Sequence, residues 1–366
     1  MAALQCRVPD LDDIFSDGGA LARVVRDFRA RPFQLEMARV VSDAIRANRA
    51  LIVEAGTGTG KTFAYLVPAL LSGGKVIIST GTKTLQDQLF DRDIPTVRAA
   101  LKVPVSVAVL KGRANYICHY HLAQALAGGR LPSRQDALYL QRIASHARVT
   151  RSGDRSDLAD VPEHAAVWSY VTSTRENCLG SSCEHFDKCF VMEARKQALA
   201  ADVVVVNHHL FFADVVLRDE GVAELLPACN TVIFDEAHQL PETASLFFGE
   251  RVSTSQLIEL ARDARMEAAV HAKDFAPLPA AAQALDKAAR DLRLTRREDS
   301  ARLPASALRD AGAFDEALAE VVKKLNEINR LLKSQAERAE GLEKCAQRAE
   351  ALAQQIARWR EGADPN

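Results

Sequence analysis

The sequence predicts an α/β protein with a doubly wound parallel sheet, an inserted, mainly helical segment and a helical C-terminal region. Short apolar runs that alternate with helical patterns indicate parallel strands joined by helices. The five runs cover residues 51–53, 75–79, 105–109, 203–206 and 231–234. The long gap between the third and fourth runs indicates the insertion, and after about Arg251 the pattern becomes alanine-rich helix.

The size and charge of the chain limit the classes of function. With 366 residues, it is expected to form two or three domains. Its net charge of −1 gives no overall basic signature, so nucleic-acid binding must rest on local patches. The longest apolar stretch, 63–71, is too short to span a bilayer, and the acidic N-terminus has no signal-peptide core. A soluble, cytoplasmic protein with no membrane partner is predicted.

The string AGTGTGKT, between the run at 51–53 and a helical pattern, is typical of a phosphate-binding loop. Its glycines permit backbone angles that turn N–H groups toward phosphate oxygens at the start of a helix. Lys61 is predicted to reach the β- and γ-phosphates, and the Thr62 hydroxyl to bind Mg²⁺. The predicted nucleotide cradle consists of Ala55, Gly56, Thr57, Gly58, Thr59, Gly60, Lys61 and Thr62. The alternative is a Gly/Thr-rich turn that binds nothing.

The string DEAH follows the apolar run at 231–234. A strand that ends in Asp-Glu places two carboxylates at the carboxyl edge of a parallel sheet, where ligands bind in doubly wound folds. Asp235 is predicted to hold Mg²⁺, and Glu236 to orient and deprotonate the attacking water. On its own, DEAH is equally typical of an ordinary acidic strand end. Together with the phosphate-binding loop, it predicts hydrolysis of a nucleoside triphosphate.

Two further strings, STGTKTLQDQL at 79–89 and VVNHHLF at 205–211, complete a pattern that resembles a known family. From Arg31 to about Leu246 the chain is similar to superfamily 2 DNA helicases of the XPD/DinG iron–sulfur group, in particular the DinG/YoaA type. The resemblance implies ATP and Mg²⁺ as cofactors and 5′→3′ unwinding of DNA in repair or replication. It also implies single-stranded or forked duplex DNA as substrate, a replication or repair protein as partner, and a bacterial cytoplasm.

The segment RPFQLEMARVV at 31–41 resembles the part of that family that reads adenine, with Gln34 as the residue that contacts the base. The same residues also fit an amphipathic helix. Both interpretations can hold together.

Seven cysteines occur in the sequence. Cytosolic thiols stay reduced, so the cluster of Cys178, Cys183 and Cys189 predicts a metal site rather than disulfides. Four thiolates can hold zinc or a [4Fe–4S] cluster, and the spacing does not decide between them. The absence of two tight cysteine pairs favours the cluster. The string KGRANYIC, followed by this spacing, resembles the DinG/YoaA pattern and implies a [4Fe–4S] cluster with Cys118 as the fourth ligand.

The resemblance also implies how the chain is divided. Residues 1–110 and 201–250 would form a RecA-like ATP-binding domain, 111–200 an inserted iron–sulfur domain, and 251–366 a helical Arch-like domain. A heptad seam runs through the last region, and Gly341 interrupts it. This favours helices packed within the chain over a dimeric coiled coil. The DNA contacts implied are Thr82 and Lys83 after the second apolar run, and Lys111 and Arg113 before Cys118.

Two motifs of the family's second RecA-like domain, an S-A-T-like string and Q-x-x-G-R-x-x-R, do not occur in the sequence. That domain supplies an arginine finger, which contributes about 10³–10⁵ in rate. We therefore expect the N-terminal half of a helicase, truncated in its Arch-like region, that binds ATP–Mg²⁺, hydrolyses it poorly and does not unwind DNA. The alternatives are a nucleotide-gated DNA-binding or regulatory module and a four-cysteine zinc ATPase.

Overall fold

The computed structural model describes residues 10–56, 58–128, 131–219, 225–248, 252–295 and 312–361. These residues divide into two compact units. The first is drawn from 1–112 and 193–248, and the second from 113–192 and 249–366. Each unit has its own hydrophobic core.

The first unit contains a four-stranded parallel sheet. Its strands are β1 (Val76–Thr80), β2 (Val107–Val109), β3 (Val203–Asn207) and β4 (Thr231–Phe234). β1 lies between β3 and β4, and β2 pairs with the other edge of β3. β1 and most of β3 are buried, as expected for parallel strands rich in Val and Ile and covered on both faces. The predicted α/β class and four of the five predicted strands are confirmed.

Helices separate the strands and form most of the second unit. They are α1 (Leu11–Ile14), α2 (Pro32–Arg46), α3 (Lys61–Leu71), α4 (Lys83–Gln88), α5 (Ile94–Leu101), α6 (His119–Gly128), α7 (Arg134–Ala147), α8 (Trp168–Val171), α9 (Phe190–Ala200), α10 (His208–Asp219), α11 (Leu240–Phe248), α12 (Thr254–His271), α13 (Pro277–Leu294), α14 (Gly312–Lys333) and α15 (Glu340–Glu361). A π-helical turn, Leu89–Asp93, joins α4 to α5. Within the described ranges, no helix combines the length and the apolar character needed to cross a membrane.

The predicted strand at 51–53 is wrong. This segment is irregular and pairs with no strand of the described residues, and the Ile52 side chain is 97% exposed. β4 is the last strand on this side of the sheet and uses only the edge that faces β1. Apolar residues predict that a segment is buried. To form a β-strand, the segment also needs a neighbouring strand with free N–H and C=O groups.

The second unit combines the cysteine-bearing segment with helices α12 to α15. Each of these four helices packs on the next along the chain, and α15 also packs on α12. Their core consists mainly of leucine and alanine, including Leu318, Leu325 and Leu332 of the predicted heptad seam. Because α14 ends at Lys333 and α15 begins at Glu340, the seam is divided between two helices that face each other within the unit.

A buried ion pair joins two of these helices. Asp263 of α12 is 5% exposed, and Arg348 of α15 donates a hydrogen bond of 2.6 Å to its carboxylate. Arg262 and the Asn177 amide also bond to Asp263. The two arginines hold the pKa of Asp263 below its usual range, against the effect of burial. The carboxylate is therefore charged and paired inside the unit.

Replacing Arg348 with Met should lower the free energy of unfolding of the second unit by about 3–5 kcal/mol, because it leaves a buried carboxylate without one partner. Urea denaturation measures this change. The control is Arg338→Met, which removes an exposed ion pair with Asp274 and should have no measurable effect. A loss below about 1 kcal/mol in Arg348→Met would mean that Arg262 alone neutralises Asp263.

Candidate functional site

Lys61 and Glu236 come together beside the carboxyl end of β4. The Lys61 ammonium lies 4.0 Å from Glu236 Oε1 and donates a hydrogen bond of 3.1 Å to the Ala55 carbonyl. Lys61 is the first residue of α3, and Gly60 before it has a left-handed φ of +83°. This angle favours glycine and lets the loop turn into the helix. The glycine-rich loop and the DEAH string therefore meet at one site.

The carbonyl groups of this loop are bonded to side chains of the same unit. The Thr59 hydroxyl donates to the Gly56 carbonyl at 2.9 Å, and the Arg31 guanidinium donates to the Gly58 carbonyl. The Gln34 side chain is buried, and its amide donates to the Gly60 carbonyl at 2.9 Å. Thr57 lies outside the described residues. Gln34 is thus placed against the loop backbone, and its contact with a base stays a prediction.

The DEAH turn has an unusual backbone. Glu236 adopts a left-handed conformation, with φ 58° and ψ 42°, which is uncommon for a residue with a side chain. Its carboxylate lies between Lys61 and His238, whose Nδ1 is 3.4 Å from Glu236 Oε2. Burial and the neighbouring Glu236 charge raise the pKa of Asp235. Two adjacent carboxylates with one nearby lysine are a suitable environment for a divalent cation, which prefers oxygen ligands.

Tyr65 is a site residue that the sequence analysis missed. It is buried in α3, and burial together with the charge of Asp235 raises the pKa of its hydroxyl. Thr62 and Asp235, the two residues predicted to hold Mg²⁺, both influence this pKa, and the Tyr65 hydroxyl has no hydrogen-bond partner among the described residues. The position of Tyr65 could have been predicted from the sequence, because it follows Thr62 by three residues in a predicted helix and positions three apart lie on one face.

The four predicted DNA contacts are placed in different environments. Thr82 caps α4, its hydroxyl accepting from the Leu85 amide at 3.3 Å, and Thr82 and Lys83 are exposed. Lys111 is only 6% exposed, and its ammonium is 2.7 Å from Asp87. The Arg113 guanidinium donates to the Cys178 sulfur at 3.3 Å. Lys111 is therefore buried and paired with Asp87, so its ammonium is not exposed to nucleic acid.

The four predicted ligand cysteines all lie in the second unit. Burial, followed by the charges of Cys178 and Cys183, raises the pKa of Cys118 to about 11. The backbone amides of His121 and Tyr120 act in the opposite direction. Burial likewise raises the pKa of Cys183, which also senses Cys178 and Cys189. The four thiols are thus close enough to influence one another.

The described residues form no compact metal site, and the Cys178 sulfur accepts hydrogen bonds from its surroundings. Among the described residues, no three His, Cys, Asp or Glu side chains are grouped tightly enough to hold one ion. The Arg113 guanidinium and, at 3.5 Å, the Gly180 amide donate to the Cys178 sulfur.

Comparisons with known proteins agree with this geometry. The profile of the DEAD/DEAH box helicase family matches residues 31–117. The chain is 50% identical over 287 residues to the ATP-dependent DNA helicase YoaA of Escherichia coli, covering 78% of this chain and 45% of that protein. It is 45% identical to YoaA of Haemophilus influenzae, covering 77% and 44% of the two chains. The chain belongs to the DinG/YoaA group of DEAD/DEAH box helicases.

One more distant relative and one solved structure also match the chain. The ATP-dependent helicase DinG of Mycobacterium tuberculosis is 34% identical over 282 residues, which cover 71% of this chain and 41% of DinG. A solved structure described as truncated XPD covers 88% of this chain and 81% of its own, with 14% identity and a TM-score of 0.40. The chain spans less than half the length of the curated YoaA and DinG relatives that it matches.

In this DinG/YoaA-group chain, one face of α12 supports the segments that carry two of the cysteines. Asn177, next to Cys178, donates to Asp263 at 3.1 Å. Tyr120, two residues after Cys118, donates to Glu267 at 2.7 Å. Asp263 and Glu267 are four residues apart and therefore lie on one face of the helix. Burial raises the pKa of Glu267 to about 7.

The raised pKa of Glu267 predicts a pH dependence of stability. The folded state keeps a proton up to about pH 7, whereas the unfolded chain releases it near the ordinary value of 4.5. The contribution of Glu267 to the free energy of unfolding therefore falls as pH rises from about 4.5 to about 7, by about 3 kcal/mol in total. A glutamine at this position does not ionise. The free energy of unfolding of Glu267→Gln should therefore exceed that of the wild type by an amount that grows as pH rises over this range.

Urea denaturation of both proteins at pH 5, 6, 7 and 8 measures this difference. Glu343→Gln, at an exposed position of α15, is the control and should follow the wild-type curve. Parallel curves for the wild type and Glu267→Gln would show that Glu267 does not bind a proton in the folded state near neutral pH.

Proposed function

We propose that this chain is part of an ATP-dependent DNA helicase of the DinG/YoaA type, which hydrolyses ATP to unwind DNA 5′→3′ in repair or replication. The observation that carries the proposal is the position of Lys61 and Glu236, 4.0 Å apart at the carboxyl edge of the sheet. A phosphate that entered between them would meet a positive group from the loop and a carboxylate from the opposite strand.

The residues of the loop bind and orient the triphosphate. In the described conformation, the Lys61 ammonium is bonded to the Ala55 carbonyl at 3.1 Å. A β- or γ-phosphate oxygen, which is charged, replaces this neutral acceptor because charge-assisted hydrogen bonds are stronger. Lys61 then neutralises the phosphate without a large movement of α3. The loop amides complete the cradle at the helix N-terminus.

Thr62 and Asp235 supply the oxygen ligands for Mg²⁺. When bound, Mg²⁺ would supply positive charge that stabilises the negative charge developing during phosphoryl transfer. The raised pKa of Asp235 fits this role, since a buried carboxylate without a cation is unfavourable. Glu236 orients the attacking water and accepts its proton. Its left-handed backbone brings the carboxylate to the Lys61 side of the site.

Four cysteines, Cys118, Cys178, Cys183 and Cys189, hold the proposed [4Fe–4S] cluster. The support is the mutual influence of the four thiols in the second unit and the N–H donors at the Cys178 sulfur. Because the pKa of Cys118 is about 11, its free thiol is protonated at neutral pH, and metal binding must displace that proton. The cluster would tie together segments that are far apart in the sequence.

Single-stranded or forked duplex DNA is the proposed substrate, with a replication or repair protein as a further partner in the bacterial cytoplasm. Thr82 and Lys83 support phosphate contact because they are exposed at the start of α4. Such contacts position a strand without reading its sequence. We do not propose DNA contacts for Arg113 and Lys111. Arg113 donates to the Cys178 sulfur, and Lys111 is paired with Asp87.

Two variants separate nucleotide binding from hydrolysis. Lys61→Ala should weaken binding of fluorescent ATP with Mg²⁺ at least about tenfold. Glu236→Gln should keep that affinity and lose about 10²-fold or more in single-turnover hydrolysis, the range of general-base catalysis. Lys102→Gln, at an exposed position after α5, is the control for both assays.

The outcomes distinguish the alternatives. Binding with single-turnover hydrolysis no faster than in the absence of protein would favour a nucleotide-gated DNA-binding module over a slow ATPase of the helicase type. An equal rate for Glu236→Gln and the wild type would remove Glu236 as the base. No binding of nucleotide by the wild type would refute both functions.

Anaerobic purification with iron, sulfide and zinc analysis tests the cluster. The wild type should contain about four irons and four sulfides per chain and a broad visible absorption. Cys183→Ser should lose the iron and still bind ATP, whereas Cys229→Ser, which alters a cysteine of the first unit, should keep it. Stoichiometric zinc without iron would overturn the cluster and leave the nucleotide site standing.

A further inference from the structure

A buried polar contact lies beneath the DEAH turn. His208 is the first residue of α10, directly after β3, and its side chain is 0% exposed. Its Nδ1 is 2.7 Å from the hydroxyl of Ser79, which is equally buried at the end of β1. Its other nitrogen, Nε2, is buried and has no hydrogen-bond partner among the described residues. One ring nitrogen therefore has a hydrogen-bond partner and the other does not.

The His208 ring lies beside the DEAH turn. The Phe234 ring lies 6.1 Å from the His208 ring, measured between centroids, and the backbone of Asp235 and Glu236 lies beside the imidazole. The Asp235 amide donates to the Ser79 carbonyl at 2.8 Å. Ser79 is thus connected to the turn through its main chain and to His208 through its side chain.

The turn needs support from its surroundings. A left-handed backbone costs about 1–2 kcal/mol for a residue with a Cβ, and Glu236 adopts one. Such conformations persist only where neighbouring structure holds them. Gln239, in the same turn, lies against Gly81, where a Cβ would be 2.4 Å from Gln239 Oε1. The buried His208 ring lies beside the backbone of Glu236.

A role in core packing alone does not explain a histidine here. An unsatisfied buried polar group costs about 1–3 kcal/mol, and an aromatic hydrocarbon of similar size would avoid that cost. The Nδ1 contact with Ser79 gives the ring a polar link to the DEAH turn, because the Ser79 carbonyl accepts from the Asp235 amide.

From this geometry we infer that His208 is a positioning residue for ATP hydrolysis. Linked to Ser79 and next to the backbone of Asp235 and Glu236, it holds Glu236 in the left-handed conformation that directs its carboxylate toward Lys61. The inference rests on the proposed function, because it concerns the efficiency of the hydrolysis step. His208 does not touch the nucleotide, so its loss should affect the rate and leave nucleotide affinity unchanged.

Two substitutions at this position separate positioning from packing. His208→Phe keeps the ring and its packing against Phe234, and removes both nitrogen atoms. His208→Gln keeps an amide that can bond to Ser79 and to the turn, and loses the ring. If hydrogen bonding matters, Gln should preserve more activity than Phe. If only packing matters, Phe should preserve more.

The experiment is single-turnover hydrolysis of ATP by an excess of protein, with affinity for fluorescent ATP and thermal stability measured on the same samples. His208→Phe should lose about 10-fold to 10²-fold in rate, as expected for a misplaced catalytic group, with nucleotide affinity unchanged. His208→Gln should recover to within about threefold of the wild type, and Ser79→Ala should lose rate in the same direction as His208→Phe. The control is His209→Phe, at the exposed neighbouring position, which should match the wild type.

Several outcomes would overturn the inference. The first is an unchanged rate of ATP hydrolysis in His208→Phe. The second is a higher rate in His208→Phe than in His208→Gln. The third is a loss of nucleotide affinity and thermal stability that accompanies the loss of rate. Failure of the proposed function is recognised separately, because then the wild type and His209→Phe would also fail to hydrolyse ATP. Should His208→Phe not fold, Ser79→Ala and His208→Gln test the same contact with smaller changes.

Discussion

The parallel pairing of β1 with β4 is the constraint on which the nucleotide site depends. Strands that run in the same direction end at the same edge, so the chain leaves β4 beside the end of β1. The bond from the Asp235 amide to the Ser79 carbonyl continues this ladder past Phe234 and fixes where the DEAH turn begins. A slip of one residue would exchange the two faces of β4 and carry both carboxylates away from Lys61. Register, more than any single side chain, determines the site.

Features that depend on local residue order could be predicted from the sequence. The runs that became β1 to β4 contain consecutive Val, Ile or Ala residues, which is the pattern of a strand buried on both faces. The glycine-rich loop and DEAH were recognisable because their chemistry requires those residue types in that order. The segment 51–53 has the same apolar character and pairs with no described strand, since pairing depends on what lies alongside it. Composition contains no information about that neighbour.

Side-chain partners that are distant in sequence were the part that could not be predicted. The sequence does not show whether the Lys111 ammonium faces DNA or pairs with Asp87. Only the fold brings α4, which carries Asp87, beside Lys111. Gln34 likewise gives no sign that its amide bonds to the Gly60 carbonyl. His208 was visible in its motif, but its bond to Ser79 joins the start of α10 to β1, which are widely separated along the chain. Each of these contacts is created by tertiary structure.

The placement of Arg113 follows from the charge that the second unit must accommodate. Burial makes the thiolate form of Cys118 costly, and the same effect raises the pKa of Glu267. Where a buried carboxylate remains charged, as in Asp263, two arginines neutralise it. Four thiolates around the proposed cluster would add negative charge to this environment, and Arg113 already donates to the Cys178 sulfur. A guanidinium that stabilises thiolate charge contributes more there than at an exposed phosphate contact, because the interaction is less screened by solvent.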